Sequence, residues 1–121
     1  MPNALDVLKE DHQKVKKLLD ELVETKSSAT RNREELLDRI DRELRIHTTI
    51  EEEIFYPAFR DAVEKKEDEV LFFESKEEHH VVDMVLPELK KTNPNSNEFL
   101  GKAHVLNELV HHHIHEEEDE M

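Results

Sequence analysis

Two His-x-x-x-Glu pairs, His47 with Glu51 and His112 with Glu116, are the residues best placed to do chemistry. In a helix, a spacing of four puts both side chains on one face, one turn apart. Imidazole nitrogen with carboxylate oxygen suits iron, manganese or zinc. A carboxylate can also bridge two metals, so two glutamates with several histidines describe a di-metal site. One such pair alone is commonly a solvated contact worth roughly 0.2–0.5 kcal/mol. Here the two pairs, with His12 and His79, all replace apolar residues at core positions. Burying two carboxylates and four imidazoles without a cation is costly, and a metal is the simplest compensation.

Neighbouring residues need sorting. His79 and His80 are adjacent, and only one of them can face a centre. In the run His111-His112-His113 with His115, not all four can point inward. The spacing to Glu116 selects His112. His111, five residues before Glu116, is a substitute, while His113 and His115 are expected to be solvated or to support the ligands. Asp83, one turn after His79, is an extra ligand or an acceptor for an imidazole N–H. Tyr56, the only tyrosine, follows Glu51 by five residues and can reach the edge of the site. In the runs 51–53 and 116–118 only the first glutamate is a ligand candidate. Phe55, Phe59, Phe72 and Phe73 are expected in the core or in an apolar sheath.

Four helical segments must carry these residues. The first starts near Ala4, with Asn3 as cap, and ends near Thr25. Its stripe is Leu5, Leu8, Val15, Leu19 and Leu22, with His12 the missing member. The second starts near Asn32, where Glu35 completes a capping-box pattern, and fades around Lys65 to Glu67. Its stripe reads Leu37, Ile40, Leu44, His47, Glu51, Ile54, Ala58, and Pro57 should bend it or disturb one turn. The third runs from Glu69 to Lys91 on Phe72, Ser75, His79, Val82, Leu86 and Leu89, with Pro87 as a further bend. After the break at Thr92-Asn93-Pro94-Asn95, the fourth runs from Pro94 or Ser96 to near the chain end. Its stripe includes Val105, Leu109, His112 and Glu116. Short connections make successive helices antiparallel. The fold class is all-α, an up-down-up-down antiparallel four-helix bundle.

A weak duplication supports this reading. Glu10-Asp11-His12 resembles Glu77-Glu78-His79, and Leu44-x-x-His47-x-x-x-Glu51 resembles Leu109-x-x-His112-x-x-x-Glu116, at offsets of 67 and 65 residues. Aligning His79 with His12 selects it over His80. Two such hairpins predict one ligand set each, facing a shared centre.

Composition bounds the rest. The 121 residues fit one domain, 1–121. The abrupt end after Glu118-Asp119-Glu120-Met121 fits the N-terminal part of a longer protein or a variant with a short last helix. With 17 Lys+Arg against 31 Asp+Glu the net charge is −14, which repels nucleic-acid phosphates and anionic membranes. No cysteine is present, which excludes disulfides and thiolate sites. No apolar run approaches the ~20 residues of a membrane span, and no secretory leader is seen. Cytoplasm is the expected location. Nine histidines are the outlying count.

The pieces Asp11-His12, His47-Thr48-Thr49-Ile50-Glu51-Glu52 with Pro57, Glu78-His79 and His112-His113-Ile114-His115-Glu116-Glu117 together resemble the hemerythrin-like, or HHE cation-binding, family. The resemblance implies a non-haem di-iron centre, oxo-, hydroxo- or water-bridged, with manganese or zinc as substitutes. It implies Glu51 and Glu116 as bridges, His12 and His47 as terminal ligands of one iron, and His79 and His112 of the other. Its members carry or sense oxygen, handle nitric oxide or peroxide, or report iron. Asp83 stands where oxygen-carrying members have a second histidine, and Glu116 lies four rather than five residues after His112. Both departures point away from simple oxygen carriage. The expected function is binding of, or reaction with, O2, NO or peroxide. As an enzyme it would disproportionate peroxide in a catalase-like way. The alternative is a non-enzymatic iron or oxygen sensor or a metal-stabilised interaction module.

Overall fold

The computed structural model describes residues 4–62 and 66–119. The Asn3 cap, the side chains of Leu5 and Phe55, and the end of the second helix near Lys65 lie outside the described residues. Helix α1 (Ala4–Val23) buries Leu8, Val15, Leu19 and Leu22, the 3/4-spaced stripe of an amphipathic helix. It stops where Thr25 Oγ1 donates to the Leu22 carbonyl at 2.6 Å, before Lys26-Ser27-Ser28.

Helix α2 (Thr30–Ile50) begins two residues before the expected Asn32, and no side chain caps it. Glu35 instead pairs with Arg31, an exposed i,i+4 contact of 3.3 Å. A five-residue π-helical turn, Glu51–Phe55, follows, with the Tyr56 N–H bonded to the Glu51 carbonyl. Helix α3 (Tyr56–Ala62) continues the rod. Pro57 has no N–H to give to the preceding turn, so the helix is disturbed where the proline predicts, in the turn before it. The wide turn shifts the helix phase. Tyr56 is buried, while Ile54, expected in the stripe, is 51% exposed and Ala58 is exposed.

Helix α4 (Lys66–Lys91) passes through Pro87 without interruption. Phe72 is buried against Tyr56, whereas Phe73 is 48% exposed and lies edge-on to Phe72 at 5.3 Å. Helix α5 (Asn97–Asp119) is capped by Ser96, whose Oγ accepts the Phe99 N–H at 3.1 Å. Its buried series is Phe99, Ala103, Leu106, Val110, His113 and Glu117, in steps of four and three. Val105, expected in the stripe, is 49% exposed. The true stripe lies one residue further along.

Helix α1 adjoins α2 and α5, and α4 adjoins α5 and, over a shorter length, α2. With α2, the π turn and α3 counted as one rod, this is an antiparallel four-helix bundle. The half nearest the 24–29 and 92–96 connections is packed with Leu22, Ile40, Leu89, Phe99 and Leu106. Each such side chain contributes about 1.5–3 kcal/mol on burial. Past Val15, Leu44, Val82 and Val110 the apolar filling gives way to histidine and glutamate.

Candidate metal centre

Three imidazoles share one arrangement. His12 on α1, His47 on α2 and His113 on α5 each turn Nε2 toward Glu51 and Glu117 and Nδ1 toward an outer carboxylate. His12 Nε2 is 3.1 Å from Glu117 Oε2, and its Nδ1 is 2.7 Å from Glu118 Oε2. His47 Nε2 abuts Glu51 Oε1 and lies 3.8 Å from Glu117 Oε2, while its Nδ1 meets Asp11 Oδ2 at 3.1 Å. His113 Nε2 is 3.0 Å from both Glu51 Oε1 and Glu117 Oε1, and its Nδ1 is 3.3 Å from Glu78 Oε1. An Nδ1–H given to a carboxylate fixes the tautomer and aims a basic Nε2 inward, as in metal-ligating histidines.

Glu117 divides its oxygens, Oε2 facing His12 and His47 and Oε1 facing His113. Donor atoms of His12, His47, Glu51 and Glu117 all lie within 4.8 Å of one another, and all four residues are buried. The Tyr56 hydroxyl lies 2.9 Å from Glu51 Oε2, 3.2 Å from Glu117 Oε1 and 3.0 Å from Ser75 Oγ. It therefore joins the two central carboxylates on the side away from His12. The wide turn at Glu51–Phe55 makes this possible by bringing a residue five places along onto the face of Glu51.

Electrostatics oppose burial at the histidines and at Glu51. Burial disfavours a charged His47, but the Asp11 hydrogen bond and the Glu51 and Glu117 carboxylates outweigh it and push His47 up to about 9. Burial is likewise outweighed at His113, where Glu117, Glu51 and Glu78 push the imidazole up to about 12. Burial raises Glu51, yet the histidines on either side hold it well below the usual carboxylate range. Burial and the adjacent Glu51 and Glu117 charges raise Tyr56, so its proton stays on. Without metal, protons on His47 and His113 thus offset the buried carboxylates. His47 Nε2 nevertheless has no directed hydrogen bond despite its contact with Glu51. A buried nitrogen with no directed partner, beside two buried carboxylates, is the environment a cation completes.

The sequence-derived residues fall in four places. His12, His47 and Glu51 are in the central cluster, with Tyr56 at its edge. His113, expected to be solvated or to support the ligands, is 5% exposed and central, and Glu117 is the carboxylate that faces it. His112 and Glu116 lie one residue round the helix in a second cluster with Glu78, at the α4–α5 rim. His79 faces the gap between α2 and α4, where its Nε2 is 2.7 Å from Thr48 Oγ1 and 3.7 Å from the exposed Asp83. His80 is exposed beside Glu77. His111 bonds Asp20 on the outside of the α1–α5 pair, and His115 pairs with Asp119.

A cavity of about 430 Å³ opens between α2 and α4, reaching His12, His47, His79 and His113. Leu44, Val82, Leu86, Val110 and Ile114 give it an apolar wall, and Thr48, Thr49 and Asp83 mark its mouth. A water in the liquid takes roughly 30 Å³, so a diatomic molecule or peroxide fits with room to spare. No described helix is long and apolar enough to cross a membrane.

Comparison with known proteins agrees with the geometry. A protein described as DNA nickase, from Nostoc sp. (strain PCC 7120 / SAG 25.82 / UTEX 2576), is 29% identical over 119 residues, which is 98% of this chain and 32% of that protein. The chain thus spans about a third of the curated relative it matches. No solved structure gives a significant match. The family described as hemerythrin HHE cation binding domain matches residues 3–121, and the chain belongs to that family.

Proposed function

We propose that this chain is a non-haem di-iron protein that binds or reacts with O2, NO or peroxide. The observation that carries the proposal is the trio of histidines, each with Nε2 toward Glu51 and Glu117 and Nδ1 on its own carboxylate. His12, His47, His113, Glu51 and Glu117 would hold the irons, the two oxygens of Glu117 facing different histidines. This moves the fourth-helix ligands one residue from the His112 and Glu116 of the sequence reading. Iron bound there would supply one-electron redox chemistry toward a small oxidant.

The protein's own groups do the rest. Asp11, Glu118 and Glu78 orient the imidazoles. Tyr56 steadies both central carboxylates while keeping its proton. The cavity wall limits water beside the histidines and leaves a path for a small ligand. His79, on that wall with Thr48, is placed to meet a ligand entering the gap. No separate acid–base pair is needed for peroxide disproportionation, which makes it the reaction to assay first. An iron or oxygen sensor is the second reading, and steady-state peroxide turnover separates the two. Nicking of DNA is not carried over to this chain. The relative extends far beyond the match, and a net charge of −14 repels phosphate.

The test is metal content with the optical spectrum of aerobically purified protein. The expected result is an iron count near two per chain with oxo-bridged ferric absorption. Protein refolded with ferrous iron that still holds less than one iron would refute the di-iron reading.

A further inference from the structure

Outside the central cluster, one group of side chains has the chemistry of a ligand set and no partner that satisfies it. At the rim between α4 and α5, His112 Nε2 is 3.1 Å from Glu78 Oε2 and 3.1 Å from Glu116 Oε1. One donor atom from each residue lies within 4.8 Å of the others. Among these atoms are one oxygen each of Glu78 and Glu116, no more than 4.8 Å apart. Two carboxylates that close favour a proton or a cation between them. No lysine or arginine pairs with either one among the described residues.

A second, independent feature points the same way. The Glu116 side chain is 5% exposed, and its Oε2 is buried with no hydrogen-bond partner. A carboxylate oxygen left in that state is costly unless something positive meets it. Glu78 separates this group from the centre, since its Oε1 accepts from His113 while its Oε2 faces His112. The His113 ring stands between the two clusters, with Nε2 on the central side.

We propose that Glu78, His112 and Glu116 form a second cation site, distinct from the central one, for a divalent ion of the zinc or manganese class. One imidazole and two carboxylates are a borderline donor set. Bonds of about 2.0–2.2 Å to a tetrahedral zinc place ligand atoms roughly 3.3 Å apart, close to the 3.1 Å separations found here. Water completes the shell, because His112 is 61% exposed and the rim is open to solvent.

The experiment is zinc uptake by the full chain, loaded first with iron, followed by titration calorimetry and elemental analysis. Wild type should bind one zinc per chain more than His112→Ala or Glu116→Gln, with the iron count the same in all three. The exposed His112 can be shortened without touching the core, and Glu116→Gln keeps the shape of the side chain. Circular dichroism checks both. His115→Ala, which removes another exposed histidine paired with a carboxylate, should match wild type. Equal zinc counts in wild type and His112→Ala would overturn the site. So would an equal loss in His115→Ala, which would mark the uptake as general surface binding. A fall in iron in His112→Ala would also overturn it, by assigning His112 to the central metals. Failure of the di-iron reading appears separately, as a low iron count in every protein, and leaves the zinc difference readable.

Discussion

At the end of the bundle closed by the 24–29 and 92–96 connections, Arg33 is 1% exposed. Its guanidinium donates to the Thr25 carbonyl at 3.0 Å, to Thr25 Oγ1 at 2.9 Å and to the Pro94 carbonyl at 2.5 Å, and it lies over the Phe99 ring. At the other end Glu51 and Glu117 are equally buried, but their partners are histidines that must carry protons to neutralise them. Arg33 is satisfied by fixed acceptors of the fold itself. Apart from the Tyr56 hydroxyl, the glutamates are met by imidazoles whose protons exchange, with one imidazole nitrogen lacking a directed bond. A buried charge met by fixed dipoles fixes structure. A buried charge met by protons is ready to exchange them for something else.

The sharpest break of this contrast is Glu117→Ala. It should reduce iron below one per chain, because the carboxylate facing all three histidines is gone. Leu106→Ala in the apolar half should cost about 2–5 kcal/mol of stability yet leave the iron count near two in the folded fraction. Iron retained in Glu117→Ala would mean that the centre is built on other residues.

Removal of metal comes next. Ligand bound at a thousand times its dissociation constant stabilises by about 4.1 kcal/mol. A domain of this size shifts by about 4 °C per kcal/mol, between the values for smaller and larger domains. Chelation should therefore lower the melting temperature by about 15 °C or more, and two equivalents of ferrous iron should restore it. An unchanged midpoint with metal loss confirmed would separate the centre from the stability of the fold.

Arg33→Ala tests the opposite end. Each stranded carbonyl should cost about 1–3 kcal/mol, read by urea unfolding, with iron content unaltered. Tyr56→Phe is milder still. It removes the proton shared with Glu51 and Glu117 and should weaken iron binding by about 10–100-fold, measured by competition with a chelator.

The smallest effect is on pH. His47 has a folded value of about 9 against an ordinary value near 6.5. Its contribution to the metal-free protein is complete below about 6.5 and is lost as pH rises through about 9. Metal-free protein should thus lose stability across that window. Iron must displace the same protons, so metal uptake at pH 7 should release protons and tighten as pH rises. Uptake without proton release in a weakly buffered titration would contradict protonated histidines in the empty centre.

Much of this was legible in the sequence because helices of this kind advertise their buried face. The stripes of α1 from Leu8 to Leu22, of α2 through Glu51 and of α4 apart from the half-buried His79 matched burial, and His12, His47 and Glu51 fell into the cluster. The fourth helix was read one residue early. His112–Glu116 and His113–Glu117 have the same spacing, and the run of histidines and glutamates gave no apolar residue to choose between them. Ala103, Leu106 and Val110 could have chosen, since continuing their steps of three and four lands on His113 and Glu117. The offset of 66 residues from His47 to His113 is also nearer the 67 from His12 to His79. What no spacing revealed is that Asp11, Glu78 and Glu118 back the imidazoles. Those contacts cross between helices, and periodicity along one helix says nothing about them.

The wide turn at Glu51–Phe55 makes the length of the chain a variable at this one point. Elsewhere in a helix, deleting one residue rotates everything downstream by about 100° and would carry core residues to the surface. Here the turn already holds one residue more than an α-helix needs, so deleting Glu53 lets the segment close regularly with the tyrosine four places after Glu51, still on its face. Pro57 would then press on a regular turn, which the extra residue now spares it. Loss of a single codon, ruinous in the neighbouring turns, should leave this stretch in phase.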